Sequence, residues 1–250
     1  MSNAVAGGVD VGGVVLILPS WAAYAAVAVS GLAGASYAAK RGFDVVGVFI
    51  IGMAAGLGGL LLRDVLLQVG TPVIFLDPVY LVIAFVAALV GFFFAGLISR
   101  LNPVIVILDG LAIGFMCTAG ATSAMAANLA PSSVVFIAVI TAVGGLILRD
   151  IMGGDAPKIV RPGTFVAIPA IVASTVFVVL LEMRANWTVA EVGTMCVALG
   201  LRAGAHWLGW RTTTAAETSD RVWDIWNRAK PGHPDQRDAE TAAPGQDEVG

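Results

Sequence analysis

Gly58-Gly59-Leu60-Leu61-Leu62-Arg63-Asp64 and Gly144-Gly145-Leu146-Ile147-Leu148-Arg149-Asp150 are two copies of one phrase, 86 positions apart from 63 to 149. Each places a glycine pair, then a basic and an acidic residue, inside a long apolar stretch. Glycine weakens a helix and charge is costly within lipid. A chain that carries the set twice points to a duplicated unit with a use for it.

The residues around the two copies are those of a membrane protein. Of 250 residues, 58% are hydrophobic and 12% charged, and the mean hydropathy is +0.89. A soluble domain carries about 25% charged residues, so this chain lacks the material for a water-facing surface. Many of its charges lie in residues 211–250, and the formal net charge of −3 gives no argument for nucleic-acid binding. Cys117 and Cys196 sit in apolar stretches and read as small packing residues rather than a disulfide or a metal site. Residues 1–13 contain no Lys or Arg, so the basic region of a secretory signal is missing and the first apolar stretch reads as a retained span.

A span needs about 20 mainly apolar residues. Seven stretches qualify: 15–39, 43–69, 78–98, 103–121, 132–152, 163–181 and 189–208. Gly and Pro punctuate most of the connectors. Lys40 and Arg41 follow the first span, Arg100 the third, Lys158 and Arg161 the fifth and Arg211 the seventh, whereas the other connectors hold Arg184 alone. Basic connectors face the cytoplasm, which predicts an external N-terminus and a cytoplasmic C-terminus in the cell membrane. Three spans per copy is an odd number, so the second copy enters the membrane from the opposite side. The expected fold is an all-α membrane protein of seven transmembrane helices, two inverted three-helix repeats plus one. Its parts are a short external N-terminus (1–14), repeats at 15–98 and 103–181, a seventh helix at 189–208, and a partly disordered polar cytoplasmic tail at 211–250 in which Trp223 and Trp226 could lie at the membrane surface.

The polar groups inside the spans are few. Gly58 and Gly59, like Gly144 and Gly145, either let a neighbouring helix approach closely or break their helix and free carbonyls for a cation. Arg63 falls in the outer half of the bilayer and Arg149 in the inner half, so the two guanidiniums flank the midplane. Arg63 and Asp64 are adjacent and point about 100° apart, as are Arg149 and Asp150. Cross-helix partners are therefore expected: carbonyls or acids for the arginines, helix N-termini or hydroxyls for the aspartates. Two readings stand for these charges, a static internal salt bridge and a gate. Asp44 and Asp109 lie toward the cytoplasmic side, where each could draw cations to a mouth or cap its helix. Ser30, Thr118, Ser123, Thr141, Ser174 and Thr175 are expected to bond back to helix carbonyls. The small residues of the first span predict packing on several sides, and the phenylalanines of the third predict a lipid- or subunit-facing surface. No nucleotide-binding loop, hydrolase motif or metal-ligand spacing of His206 and His233 is present, so an enzyme is not expected.

Ser30-Gly31, Asp44, the glycine cluster before Arg63-Asp64, Pro78 and Tyr80 together resemble the first half of the prokaryotic trimeric intracellular cation (TRIC) channels, also known as the glycine transporter domain. Asp109-Gly110-Leu111, Gly144-Gly145 and Arg149-Asp150 carry the likeness into the second half. The resemblance implies a homotrimer in membrane lipid, one pore per protomer lined by kinked second and fifth helices, and permeant potassium or sodium with no cofactor. It places the pore at Gly58, Gly59, Arg63, Asp64, Gly144, Gly145, Arg149 and Asp150. The family usually has three consecutive glycines, and Leu60 and Leu146 stand in the third places here. A secondary transporter of a small amino acid such as glycine is the alternative, with an arginine gripping the carboxylate.

Overall fold

Apolar runs of 16 to 25 residues fold as helices in a computed structural model, which describes residues 8–11, 14–17, 20–68, 70–100, 102–160, 166–208, 223 and 226. The helices are α1 (Ser20–Lys40), α2 (Val45–Leu67), α3 (Val73–Leu76), α4 (Val79–Arg100), α5 (Asn102–Ala126), α6 (Pro131–Met152), α7 (Ala167–Glu182) and α8 (Trp187–Trp207). Seven of them are long, and α3 is a single turn. Four are long and apolar enough to cross a membrane, Trp21–Lys40, Val45–Leu67, Val106–Ala126 and Pro131–Met152, while Val79–Phe94 and Ala167–Glu182 are shorter apolar helices. The chain is a multi-pass membrane protein, and among the described residues the one departure from helices and their connectors is a pair of short strands.

That pair corrects the expected start of the first span. β1 (Gly8–Val11) pairs antiparallel with β2 (Val14–Ile17), with Val9 opposite Leu16. Residues 15–17 thus belong to a strand, and α1 begins at Ser20. The β-branched Val14, Val15 and Ile17 favour extended backbone, and a helix reaching back to 15 would carry Pro19 in its interior.

The helix ends follow local chemistry. Asp44 caps α2 by accepting the Gly47 N–H at 2.8 Å, so the capping reading of Asp44 holds. Asn186 caps α8 through Thr188, and Pro131 occupies the first turn of α6, where its missing N–H costs nothing. Asp44→Ala is expected to cost about 1 kcal/mol, read as a lower unfolding temperature of the purified protein with its oligomeric state unchanged.

The small residues of α1 let it contact α2, α4 and α5 at once, as its composition predicts. Ala26, Ala35 and Ala38 are fully buried in these contacts. On α4 the outward side carries Phe85, Phe93 and Phe94, all exposed. The side chains of Arg100 and Lys158, and residues Arg161 and Arg211 that orient the sequence reading, lie outside the described residues, as does residues 211–250 apart from Trp223 and Trp226. Those two are exposed and their rings lie 5.3 Å apart.

Candidate functional site

The two sequence copies meet. α2 and α6 cross at their glycine pairs, and each glycine is required by what faces it. A Cβ on Gly59 would stand 2.1 Å from the Thr141 carbonyl oxygen, and one on Gly145 would stand 2.3 Å from that of Ala55. Gly58 and Gly144 face Leu148 and Leu62 in the same way. An 86-residue shift carries 55 onto 141, 59 onto 145, 58 onto 144 and 62 onto 148. The contact is therefore self-complementary, as at an isologous interface. Both helices run through their glycines without interruption. The expected break is absent from their hydrogen bonding, because the missing side chains are used for close approach of two backbones instead. Leu60 is fully buried at this crossing and packs into the main apolar cluster, with Leu146 against it.

Both charged pairs are inside the bundle. Arg63, Asp64, Arg149 and Asp150 are between 1% and 6% exposed. Arg63 donates through Nε to Asp64 Oδ1 at 2.7 Å and through Nη1 to the Ala119 carbonyl of α5 at 3.3 Å. Asp64 Oδ2 accepts the N–H of Val73, the first residue of α3, at 2.8 Å. The carbonyl and the helix N-terminus are the partners expected from sequence. The bond between neighbours is not. The Cβ directions of adjacent residues diverge, but the long arginine stem folds back to the carboxylate beside it.

Arg149 repeats this theme with additions. Its Nε and Nη2 reach Asp150 Oδ1 at 3.1 and 3.0 Å, and its Nη1 reaches Asp109 Oδ1 on α5 at 3.3 Å. Asp109 Oδ2 in turn accepts Arg202 Nη2 from α8 at 3.2 Å. The Tyr37 ring of α1 lies 4.6 Å from the Arg149 Cζ. Each arginine thus leans on the first helix of the other copy, Arg63 on α5 and Arg149 on α1. Ala119 and Asp109 stand ten residues apart on α5, about 15 Å at 1.5 Å per residue. The two guanidiniums therefore sit at different depths on either side of the crossing.

Asp109 does not cap its helix. It is the eighth residue of α5, is 3% exposed, and lines a small recess with Arg149, Asp150, Arg202 and Val166. Thr118, Ser123, Thr141, Ser174 and Thr175 bond back as expected, donating to carbonyls three or four residues earlier. Cys117 is buried and Cys196 exposed, both as free thiols. Sequence reasoning did not single out Arg202, Tyr37, Asp155, Tyr24 or Asp77. For Arg202 there was a signal, since an arginine within an apolar stretch needs an acid, and Asp109 was an acid inside a span with no arginine beside it.

Comparison with known proteins returns the same duplication. The family model described as Glycine transporter matches residues 20–96 and again residues 106–182, the same 86-residue shift. A UPF0126 membrane protein of Deinococcus radiodurans is 30% identical over 128 residues, which span 51% of this chain and 60% of the length of that relative. Among solved structures, a TRIC cation channel studied for its conductance superposes with a TM-score of 0.69 at 28% identity, covering 79% of this chain and 97% of that one. The TRIC trimeric intracellular cation channel orthologue from Rhodobacter sphaeroides superposes with a TM-score of 0.71 at 25% identity, covering 76% and 98%.

Proposed function

The chain belongs to the family described as Glycine transporter, and from that premise we propose that it is a monovalent cation channel, conducting potassium through a path along α2 and α6 of each protomer. The observation that carries this reading is the pair of buried Arg-Asp clusters on either side of the glycine crossing. Likeness to structures solved as TRIC cation channels supports it. Seven helices, α1, α2 and α4 to α8, cross the membrane as two inverted repeats plus α8. The exchange of partners at the α2–α6 crossing supports that symmetry. Three copies assemble in the cell membrane, with the N-terminus outside and the C-terminus in the cytoplasm.

In this reading the present conformation is shut. α2 and α6 touch through backbone atoms at Gly59 and Gly145, so ions pass only when the helices part there. The carboxylates of Asp64, Asp109 and Asp150 hold the guanidiniums aside, which matters because an unpaired arginine repels a cation. Asp44, exposed at the start of α2, adds negative charge at the cytoplasmic mouth. Purified protein in planar bilayers is expected to show discrete potassium currents with every candidate solute absent. Silent bilayers containing intact oligomers overturn the reading.

One observation favours a second reading, transport of glycine or another small amino acid. The recess beside Arg149 presents two guanidiniums and two carboxylates, the complements of both ends of a zwitterion. Counterflow of labelled glycine in proteoliposomes, abolished in Arg149→Ala, would establish it. All four groups already bond one another, which favours the channel.

A further inference from the structure

α1 carries Tyr24 and Tyr37, 13 residues apart and so separated by about 20 Å along the helix. Each hydroxyl donates to an aspartate in the connector that follows one of the two Arg-Asp helices. Tyr24 bonds Asp77, beyond α2, and Tyr37 bonds Asp155, beyond α6. An 86-residue shift carries Tyr24 onto Gly110 and Tyr37 onto Ser123, so neither contact is a by-product of the duplication. One helix makes the same kind of bond at both of its ends.

Each bond is wired to the nearby arginine. At the first end, Asp77 also accepts the Val79 N–H at 3.0 Å, and the Tyr24 ring lies 4.8 Å from Tyr80. The same connector contains α3, whose Val73 N–H is bonded to Asp64, the partner of Arg63. At the second end, Asp155 pairs with Arg41, which also donates to the Gly153 carbonyl at 3.4 Å. The Tyr37 ring that reaches Asp155 lies over Arg149. It fits because position 153 is glycine: a Cβ there would stand 2.8 Å from Tyr37 Cε1.

The geometry points to α1 as a two-ended clamp, in which Tyr24 and Tyr37 are positioning residues that hold the two connectors over the Arg63 and Arg149 clusters as closures in series. As a regulation of the conducting path it rests on the channel reading, while the clamp itself can be read without current. A hydrogen bond from a hydroxyl to a carboxylate biases its end by about tenfold. Phenylalanine keeps the ring and removes the hydroxyl that donates the bond.

The test uses the full chain, as wild type, Y24F, Y37F and Y24F/Y37F, in lipid nanodiscs for amide hydrogen exchange and in planar bilayers for current. Y24F is expected to speed exchange at residues 73–79 alone, and Y37F at residues 153–160 alone. Two closures in series multiply, so each single variant raises open probability about tenfold and the double variant about a hundredfold. Unchanged exchange at a variant's own end, or a change at both ends from one variant, overturns the clamp. A double variant no more open than a single one overturns the series arrangement. If the wild type and every variant are silent, the channel reading fails, and the exchange pattern still decides the clamp.

Discussion

Gly59→Ala and Gly145→Ala are each expected to lower the unfolding temperature of the purified protein by roughly 6–12 °C, from a destabilisation of about 3 kcal/mol. The added methyl of each would meet a backbone carbonyl oxygen, at 2.1 Å from Thr141 and 2.3 Å from Ala55. A flexible side chain could rotate away, but a carbonyl held in a helix can only move with its helix. α2 and α6 would have to separate by about 1 Å to restore ordinary contact, loosening every neighbour along the seam. That places the cost at the upper end of the range for overpacked cores. Gly200→Ala is the control, because nothing lies within 4 Å of the new methyl. It replaces a helical glycine and is expected to be neutral or slightly stabilising. Gly59→Ala with Gly145→Ala should cost less than the two singly, since the first already opens the seam that both share. Heating the detergent-solubilised protein and measuring the surviving folded protein by size-exclusion chromatography reads all four. An unchanged temperature for both single variants would mean that the two backbones are not in contact.

The same glycines show what could and could not be read from sequence. That two glycine pairs at an 86-residue interval matter is visible in the letters, because duplication preserves them. Whether a glycine bends its own helix or admits another depends on what stands opposite, and no local pattern encodes that neighbour. The long helices were legible because apolar runs end where Gly, Pro and charged residues make continuation costly, as at Gly42, Gly70 and Pro131. The hairpin at residues 8–17 was not, because a β-branched apolar run next to a span reads as its extension. Burial of Arg63 and Arg149 followed from the cost of charge in lipid. Their bonds to the adjacent aspartates did not, because Cβ directions describe where a side chain starts and not how far an arginine reaches. Tyr24 and Tyr37 carry no signal in an alanine-rich helix, and only the fold brings Asp77 and Asp155 to their hydroxyls.

Asp109→Asn is expected to destabilise the protein by about 3–5 kcal/mol. Adding Arg202→Gln to it should recover a large part of that loss. Asp109 holds one guanidinium on each oxygen, Arg149 at 3.3 Å and Arg202 at 3.2 Å, with Asp109 and Arg149 buried inside the bundle and Arg202 partly buried. Removing its charge leaves two guanidiniums facing one fewer carboxylate in a medium that does not solvate Arg149 and solvates Arg202 only in part, and that imbalance rather than a lost hydrogen bond sets the size of the effect. The second substitution removes the surplus positive charge while Arg149 keeps its bonds to Asp150 at 3.0 and 3.1 Å. Arg202→Gln alone should be milder, because Asp109 retains Arg149. Chemical or thermal unfolding of the four proteins closes a double-mutant cycle, and the coupling between positions 109 and 202 is expected to be favourable to the double variant. An acid serving only to attract ions at a mouth would behave otherwise: Asp109→Asn would lower conductance at low salt with stability unchanged, and Arg202→Gln would rescue nothing. The cycle therefore separates a buried charge lattice that holds α5, α6 and α8 in register from a surface charge that happens to lie near them.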